Sequence, residues 1–355
     1  MARRAPHTSS APEVGQVAED KIGIGIIGYG YWGPNLVRNF YETSTARVVS
    51  VSDLNDNRLA AVRSRYPTIK TATDYRDLLK DPSVDAILVA TPVATHFPLA
   101  LEALKAGKHV LVEKPIASTA AETSILIDEA SKRELVLMVD HTFVYTSAVR
   151  KIDDLVKSGE MGDIYYYDSV RINLGLFQTD VNVIWDLAVH DLTIMDVVIP
   201  AKPLVVSATG ISHVPGKPEN IAYLTMYFDN NVIAHIHVNW LAPVKLRRTL
   251  ISGSRRMIVY DDIEPSEKIK IYDRGITVSD TETMYKYLIG YRTGDMHSPQ
   301  LEVSEALKVE AAHFVDCIRN KKRPISDGEA GLRVVRILEA ATQSLKLKGH
   351  PVELP

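Results

Sequence analysis

Cysteine is nearly absent from this sequence: Cys317 is the only one among 355 residues. The chain can therefore form neither an intrachain disulfide nor a metal site built from several cysteines. Residues 313–318 follow the pattern of an amphipathic helix, which favours a buried structural thiol over a reactive one. This cysteine usage fits a reducing compartment, and we expect a cytoplasmic protein.

A long apolar run and an excess of one charge are also missing. No uninterrupted stretch of about 18 apolar residues occurs, which is the usual signal of a membrane helix. Lys and Arg number 41 against 44 Asp and Glu, giving a formal net charge of -3. This balance argues against a nucleic-acid or membrane partner bound through bulk charge, while a few local cations can still hold an anionic small molecule.

The chain is long enough for two domains, because 355 residues exceed a single comfortable core. Residues 1–20 lack hydrophobic periodicity and are rich in Ala, Pro, Ser and Glu, which predicts a disordered tail. Arg3 and Arg4 have no apolar segment after them, so we interpret them as solvated charges rather than an export signal.

Residues 21–145 alternate short apolar runs with helical patterns. Strands this uniformly apolar are buried on both faces, as in a parallel sheet covered by helices. The alternation predicts an α/β domain with a doubly wound Rossmann sheet. The predicted strands are residues 22–27, 47–51, 85–90, 109–112 and 135–139.

Residues 146–355 follow a different pattern, in which long strand-like runs dominate. Several runs alternate apolar and polar residues, as at 234–238, which predicts a large, mostly antiparallel sheet in an α+β domain. We expect the two C-terminal helices to pack back towards the first domain. The predicted strands are 164–174, 204–210, 221–228, 232–240, 247–252, 257–260 and 269–272, and the predicted helices are 148–158, 183–199, 304–321 and 327–347.

A glycine-rich motif follows the first predicted strand, where residues 28–33 match G-x-G-x-x-G. In this motif the first glycine permits a tight turn, the second lets the backbone approach a pyrophosphate, and the third allows close helix–strand packing. Pro34 suits the first helical turn, whose free N–H groups attract phosphates. The motif predicts a dinucleotide site at Gly28, Tyr29, Gly30, Tyr31, Trp32 and Gly33.

Asp53 supports the cofactor interpretation, because it ends the second predicted strand 20 residues after Gly33. A carboxylate at this place accepts hydrogen bonds from the adenosine ribose and repels a 2′-phosphate. We therefore expect NAD, with NADP disfavoured. Arg58 is a nearby cation that would relax this preference. A loop carboxylate or helix cap is the structural alternative for Asp53.

Two later strands end in polar residues that share one crevice, since the carboxyl ends of parallel strands meet where such folds bind ligands. Considered alone, a lysine here is more often solvated and a histidine more often a helix cap. In the context of the glycine motif we assign to the cofactor site Thr91, Pro92, His96, Glu113 and Lys114.

These motifs, together with Asp186 and His190, resemble those of the Gfo/Idh/MocA oxidoreductases, and the resemblance extends over nearly the whole chain from Lys21. It implies a Rossmann domain followed by a substrate-binding sheet domain whose sheet face commonly forms the oligomer interface. We therefore expect a homodimer or homotetramer. The resemblance also implies that Lys114 borders the nicotinamide and the reacting carbon, and that His190 donates or accepts a proton.

The residue types agree with this chemistry. Asp186 and His190 are four residues apart on a predicted helix, hence on one face. Oxidation of an alcohol needs a base for the hydroxyl proton, and an ammonium stabilises the developing alkoxide. We assign His190 as general acid/base, Lys114 as electrostatic stabiliser and relay, and Asp186 as the group that orients the imidazole or holds a substrate hydroxyl. An ordinary surface pair is the alternative for Asp186 and His190.

Two stretches depart from the family pattern. Trp185 and Ala188 leave less room around the Asp-x-x-x-His pair, which counts against a free polyol as substrate. Residues 139–145 replace the commoner Gly-x-x-Arg. From this stretch we assign His141 to the nicotinamide pocket and Tyr145 to the substrate pocket, with a hydrogen-bonded interdomain position as the alternative for either.

The runs at 30–35, 171–177 and 183–190 resemble the nucleotide-sugar branch of the family, which includes UDP-N-acetylglucosamine 3-dehydrogenases. This resemblance implies oxidation of a sugar C3 hydroxyl to a 3-keto sugar. Arg171 and Asn173 alternate on one strand and are assigned to the diphosphate or sugar, with an outer sheet face as an equal alternative.

Other functions stay open on the sequence alone: a polyol dehydrogenase, an NDP-keto-sugar reductase, and a non-enzymatic NAD-sensing regulator. The joint presence of Lys114 and His190 favours an enzyme. No metal is expected, because His235 and His237 lie two residues apart on a strand without an evident third ligand.

Overall fold

The computed structural model describes residues 21–175, 181–279 and 288–355. The predicted tail, 1–20, and the last two residues of the 171–177 run lie outside the described residues. The N-terminal elements are β1 (Ile22–Ile27), α1 (Gly33–Glu42), β2 (Ala46–Ser52), α2 (Asp56–Arg65), β3 (Lys70–Ala72), α3 (Arg76–Lys80), β4 (Ala86–Val89), α4 (His96–Lys105), β5 (His109–Glu113), α5 (Ala120–Lys132) and β6 (Leu137–Asp140).

These strands form a six-stranded parallel sheet in the order β3-β2-β1-β4-β5-β6. Neighbouring residues of a strand point to opposite faces, and both faces are covered. Ile87 packs in one apolar layer with Ala100 of α4, whereas Leu88 packs in the other with Phe40 of α1, and all four side chains are closed to solvent. The predicted doubly wound sheet is confirmed. The sequence did not indicate the sixth strand, β3, because it has only three residues and none of them is buried.

The C-terminal elements begin with α6 (Ser147–Lys157), β7 (Ile164–Leu174), a π-helical turn (Ile184–Ala188) and α7 (Val189–Val198). The strands that follow are β8 (Pro203–Ile211), β9 (Ile221–Phe228), β10 (Ile233–Asn239), β11 (Leu241–Gly253), β12 (Met257–Asp261), β13 (Ile269–Tyr272), β14 (Gly275–Ser279), β15 (Leu288–Arg292) and β16 (Met296–His297). The chain then runs through α8 (Ala306–Asn320), α9 (Gly328–Lys346) and β17 (Val352–Glu353).

Nine of these strands form a second sheet in the order β16-β13-β12-β11-β7-β10-β9-β8-β17, while β14 pairs with β15. In this sheet β7 and β10 are parallel and the other described pairs are antiparallel, so the predicted mostly antiparallel sheet is confirmed. Helices α6, α7 and α9 supply the apolar residues that pack on one of its faces.

The C-terminal helices join the two sheets. Phe314 of α8 contacts Phe40 of α1 edge-to-face, with ring centroids 6.2 Å apart. In α9, Val334 packs in the core of the second sheet and Val335 in the core of the first. Over the described part of the chain, no helix combines the length and apolar content that crossing a membrane requires.

Candidate active site

A cleft of about 1870 Å³ runs along the carboxyl ends of the parallel strands and is closed on its other side by the second sheet and its π-helical turn. Parallel α/β sheets bind their ligands at this edge. The structure brings together in its wall Gly28, Gly30, Tyr31, Trp32, Asp53, Arg58, Thr91, Pro92, His96, Glu113, Lys114, Asp186 and His190, all of which the sequence predicted.

The glycine loop has the form that a dinucleotide site requires. Gly28 has φ +99°, and a Cβ there would lie 2.3 Å from the carbonyl oxygen of Ala90. A Cβ on Gly33 would lie 2.4 Å from the carbonyl oxygen of Gly28, so Gly33 serves packing and is not exposed in the cleft wall. Tyr29 was predicted to touch the cofactor, but its side chain is buried behind the loop among apolar residues.

Asp53 follows β2 and reaches across to the glycine loop. Its Oδ2 accepts a hydrogen bond from the backbone N–H of Tyr29 at 2.7 Å, and its Oδ1 accepts one from Asn55 at 2.8 Å. Arg58 Nη1 lies 3.4 Å from the same carboxylate. These bonds fix the carboxylate at the rim of the cleft, while Oδ1 keeps a lone pair for a further donor.

Lys114 joins the two halves of the site. Its ammonium donates to the backbone oxygen of Asp186 at 3.1 Å and lies 3.4 Å from the Asp186 carboxylate. The indole N–H of Trp240 donates to the other carboxylate oxygen at 3.0 Å. Asp186 therefore contacts the lysine and a tryptophan, and the predicted alternative in which it orients the imidazole of His190 is not seen.

His190 lies in the first turn of α7, which follows directly on the π-helical turn that carries Asp186. Its ring packs on Phe143 with centroids 5.0 Å apart. Burial and the neighbouring ammonium of Lys114 hold the pKa of His190 well below its usual value. The imidazole is therefore neutral at pH 7 and available as a base.

His96 has a supporting position in the cleft wall. Its side chain is buried, with Nδ1 2.8 Å from the carbonyl oxygen of Pro115 and Nε2 2.7 Å from that of Thr91. Both ring nitrogens thus face backbone carbonyl oxygens, and the neutral imidazole, which burial favours by lowering the pKa of His96, donates to one of them at a time. We conclude that His96 ties the loop after β4 to the loop after β5, and so fixes the segment that carries Lys114.

A group of buried carboxyls lies beneath this segment. Glu113 and Asp140 are register partners on β5 and β6, and Asp140 accepts hydrogen bonds from the indole of Trp32 at 2.7 Å and the hydroxyl of Thr142 at 2.6 Å. Burial and the charge of Asp140 raise the pKa of both Glu113 and Glu310 well above the usual value. Glu113 Oε2 accepts a hydrogen bond from the backbone N–H of Lys114 at 3.0 Å and so supports the segment that carries the lysine.

Two assignments at the exit of β6 are wrong. Tyr145 is 2% exposed and hydrogen-bonds the hydroxyl of Ser326 at 3.0 Å, so it packs between elements rather than in the substrate pocket. His141 is 1% exposed, with Nδ1 3.3 Å from the hydroxyl of Thr193, and burial lowers its pKa to about 4. Neither side chain lines the cleft.

The assignment of Arg171 to the substrate is also wrong. Arg171 points to the helix-covered face and is buried in an ion pair with Asp191, at 2.6 Å from Nε to Oδ2. Asn173 is half-buried near the end of β7, and its assignment to the substrate stays a prediction. The strand alternation showed that both share a face but not that the face is covered by α7.

Several cleft residues were missed: Phe143, Thr146, Arg247 and Asp262 line its substrate end, and Trp240 lies behind Asp186. The basic run at 245–248 was a signal for Arg247, but its alternation could not show which of the two arginines faces inwards. Among the described residues, no group of three or more His, Cys, Asp or Glu side chains has an arrangement that could hold a metal ion.

The sequence model described as "Oxidoreductase family, NAD-binding Rossmann fold" matches residues 22–141, and the "GFO/IDH/MocA C-terminal domain" matches residues 149–259. The chain belongs to the Gfo/Idh/MocA oxidoreductase family. The NAD-binding fold that was predicted from the glycine motif and Asp53 is thereby confirmed.

Among the family members, UDP-N-acetylglucosamine 3-dehydrogenase of Acidithiobacillus ferrooxidans is 28% identical over 320 residues, which cover 88% of this chain and 93% of the relative. A solved structure of that enzyme has a TM-score of 0.79 at 26% identity, covering 92% of this chain and 99% of the other. Myo-inositol 2-dehydrogenase of Thermotoga maritima is 24% identical over 343 residues, 92% of this chain and 96% of the relative. A dTDP-3,4-didehydro-2,6-dideoxy-α-D-glucose 3-reductase of Streptomyces violaceoruber is 47% identical over 90 residues, which cover 25% of this chain and 26% of the relative.

The residues present fit NAD. A Cβ built on Gly30 would meet no atom closer than Arg58 Nη1 at 3.8 Å, so the loop leaves open the space that a pyrophosphate needs. The N-terminus of α1, which begins at Gly33, follows this loop directly, and a helix N-terminus favours a phosphate. Asp53 stands at the rim for the ribose, and Lys114 lies at the inner part of the cleft, where the nicotinamide would be held against the substrate.

Proposed function

We propose that this family member is an NAD-dependent dehydrogenase of a nucleotide sugar, which oxidises the C3 hydroxyl of a UDP-sugar such as UDP-N-acetylglucosamine to a ketone. The observation that carries the proposal is the convergence of Lys114, Asp186 and His190 from two sheets on one cleft that also holds the glycine loop. The similarity to a UDP-N-acetylglucosamine 3-dehydrogenase over most of both chains supports the substrate class.

Bound NAD would supply the hydride acceptor, and the chain's own residues handle the proton and the charge. A ring nitrogen of the neutral His190 accepts the proton of the sugar hydroxyl. The ammonium of Lys114 stabilises the negative charge that develops on the same oxygen. The carboxylate of Asp186 holds this ammonium in place through the contact at 3.4 Å.

Two alternatives within the family use the same residues. The reverse reaction, reduction of an NDP-keto sugar, has support from the segment that is 47% identical to a dTDP-keto-sugar 3-reductase. A polyol substrate has support from the inositol dehydrogenase, but the indole of Trp185 lines the cleft and reduces its free volume. An NAD-sensing role without turnover would not require the contact between Lys114 and Asp186.

A substrate panel tests the proposal: UDP-N-acetylglucosamine, other nucleotide sugars, and free polyols with NAD, followed by the absorbance of NADH. We expect turnover with a UDP-sugar. Lys114→Ala should lower turnover about 10³-fold, since it removes the charge that stabilises the alkoxide, while NADH binding persists. Lys105→Ala, an exposed lysine of α4, is the matched control. Unaltered turnover in Lys114→Ala would refute the assigned role.

We also propose that the protein acts in the cytoplasm as a homodimer or homotetramer formed through the second sheet. The face of β9 and β10 opposite the helices carries Tyr223, Tyr227 and Ile233, which are 43%, 49% and 41% exposed. Large apolar groups clustered on one sheet face are typical of an interface. The single cysteine supports the compartment.

A further inference from the structure

Two arginines stand side by side on neighbouring strands of the second sheet. Arg171 of β7 and Arg247 of β11 are register partners in the antiparallel pair, so their side chains leave the same face. Arg171 is 3% exposed and pairs with Asp191 through Nε and Nη2. Arg247 is 30% exposed and lines the cleft, so it is the member of the pair that a ligand can reach.

The guanidinium of Arg247 is held in position but is not saturated. Its Nη1 donates to Asp262 Oδ2 at 3.1 Å, and the hydroxyl of Tyr260 donates to the other oxygen of that carboxylate at 3.2 Å. Its Nε is buried, and no atom of the described residues accepts a hydrogen bond from it. Because Nε is closed to a ligand, the donors left for an oxyanion are those of Nη2, for which no acceptor is present among the described residues, and the second hydrogen of Nη1.

The position of Arg247 is next to the proposed base. Its Cζ lies 5.7 Å from the centroid of the Phe143 ring, and the same ring contacts His190 at 5.0 Å. The charge of Arg247 is also among those that lower the pKa of His190, after burial and the charges of Lys114 and Arg171. Arg247 and His190 both line the cleft and both pack on Phe143, so we infer that one substrate contacts both.

Building on the proposed function, we propose that Arg247 is the residue that binds the negative charge of the sugar substrate. The oxyanion is either a phosphate of the nucleotide diphosphate or the carboxylate of a uronic acid. Both present paired oxygens to the forked N–H groups of an arginine. Arg247 thus takes the role that the sequence assigned to Arg171, and it makes the site selective for charged sugars over free polyols.

Binding measured by calorimetry on the NADH-loaded protein tests this without depending on turnover. The ligands are UDP-N-acetylglucosamine, UDP-glucuronic acid, UDP and free N-acetylglucosamine. Arg247→Gln should lower the affinity for the charged ligands by about 10- to 100-fold, the range expected for hydrogen bonds to a charged group. Arg247→Lys should restore part of the lost affinity. Arg248→Gln is the matched control, because Arg248 is exposed and pairs with Asp261.

The pattern of losses identifies the oxyanion. Equal losses for UDP and both UDP-sugars would assign Arg247 to the diphosphate, whereas a loss confined to UDP-glucuronic acid would assign it to the carboxylate. The proposal is overturned if every ligand binds Arg247→Gln within about 2-fold of the wild type, or if the wild type binds none of the charged ligands. If charged ligands lose affinity but no sugar is oxidised by the wild type, then the proposed dehydrogenase function fails while the anion site stands.

Discussion

The ion pair between Arg171 and Asp191 makes a sharp prediction about stability. The two side chains are 3% and 2% exposed, and the guanidinium donates twice, from Nε at 2.6 Å and from Nη2 at 3.2 Å. Arg171→Met would leave the carboxylate of Asp191 buried with the hydroxyl of Ser169 as its side-chain donor. Breaking such a pair costs about 3–5 kcal/mol, a large part of the about 5–15 kcal/mol that stabilises a typical fold.

Removing both charges should cost much less than removing one. In Arg171→Met/Asp191→Leu no uncompensated charge stays in the core, so we expect most of the lost stability to return. The hydroxyl of Ser169 keeps its contact with the hydroxyl of Thr249 at 3.2 Å. Urea unfolding followed by circular dichroism compares the wild type, both single variants and the double variant at pH 7, with the slope of the transition checked for constancy.

The same variants decide between a structural and a substrate role for Arg171. If the residue is structural, the folded double variant keeps the substrate KM of the wild type. A single variant destabilised by less than about 1 kcal/mol would refute the reasoning from burial. A double variant that is stable but binds substrate poorly would return Arg171 to the substrate site.

Two further predictions concern the cofactor and the assembly. Asp53→Ala should weaken NADH about 10- to 100-fold while leaving NADPH less affected, because the ribose hydroxyls lose a charged acceptor and the 2′-phosphate loses a repulsive neighbour; fluorescence titration of both cofactors measures this, and an unchanged ratio of affinities would contradict the ribose assignment. Tyr223→Glu should shift the wild-type oligomer towards monomer in light scattering, since it places a charge on the apolar sheet face; a wild type that is already monomeric would exclude the proposed interface.

The sequence predicted well whatever depends on local pattern. The uniformly apolar runs located five strands of the first sheet, because strands that are buried on both faces consist almost entirely of apolar residues. The motif at Gly28 and the carboxylate of Asp53 located the edge of the sheet where the cofactor would bind, because few other residue types can take the place of a glycine or an acid at these positions. The short strand β3 was missed, since three half-exposed residues carry no periodicity.

What could not be predicted depends on contacts across strands and between the two sheets. The packing of α7 brings Asp191 to Arg171, and the pairing of β7 with β11 places Arg247 opposite Arg171. The residues after β6 were misassigned for the same reason: a strand exit shows where the chain leaves the sheet, but not that Tyr145 turns towards Ser326 rather than into the cleft.

The proposed hydride site takes its electrostatics from the packing of one sheet against the other. Lys114 follows β5 of the first sheet. Asp186 lies just before α7 and His190 lies in the first turn of α7, beside the second sheet. The ammonium that disfavours a charged imidazole also favours an alkoxide on the oxygen between them. Burial and this ammonium together lower the pKa of His190, so a shift that separated the two sheets at this contact would weaken both the effect on the imidazole and the proposed stabilisation of the alkoxide.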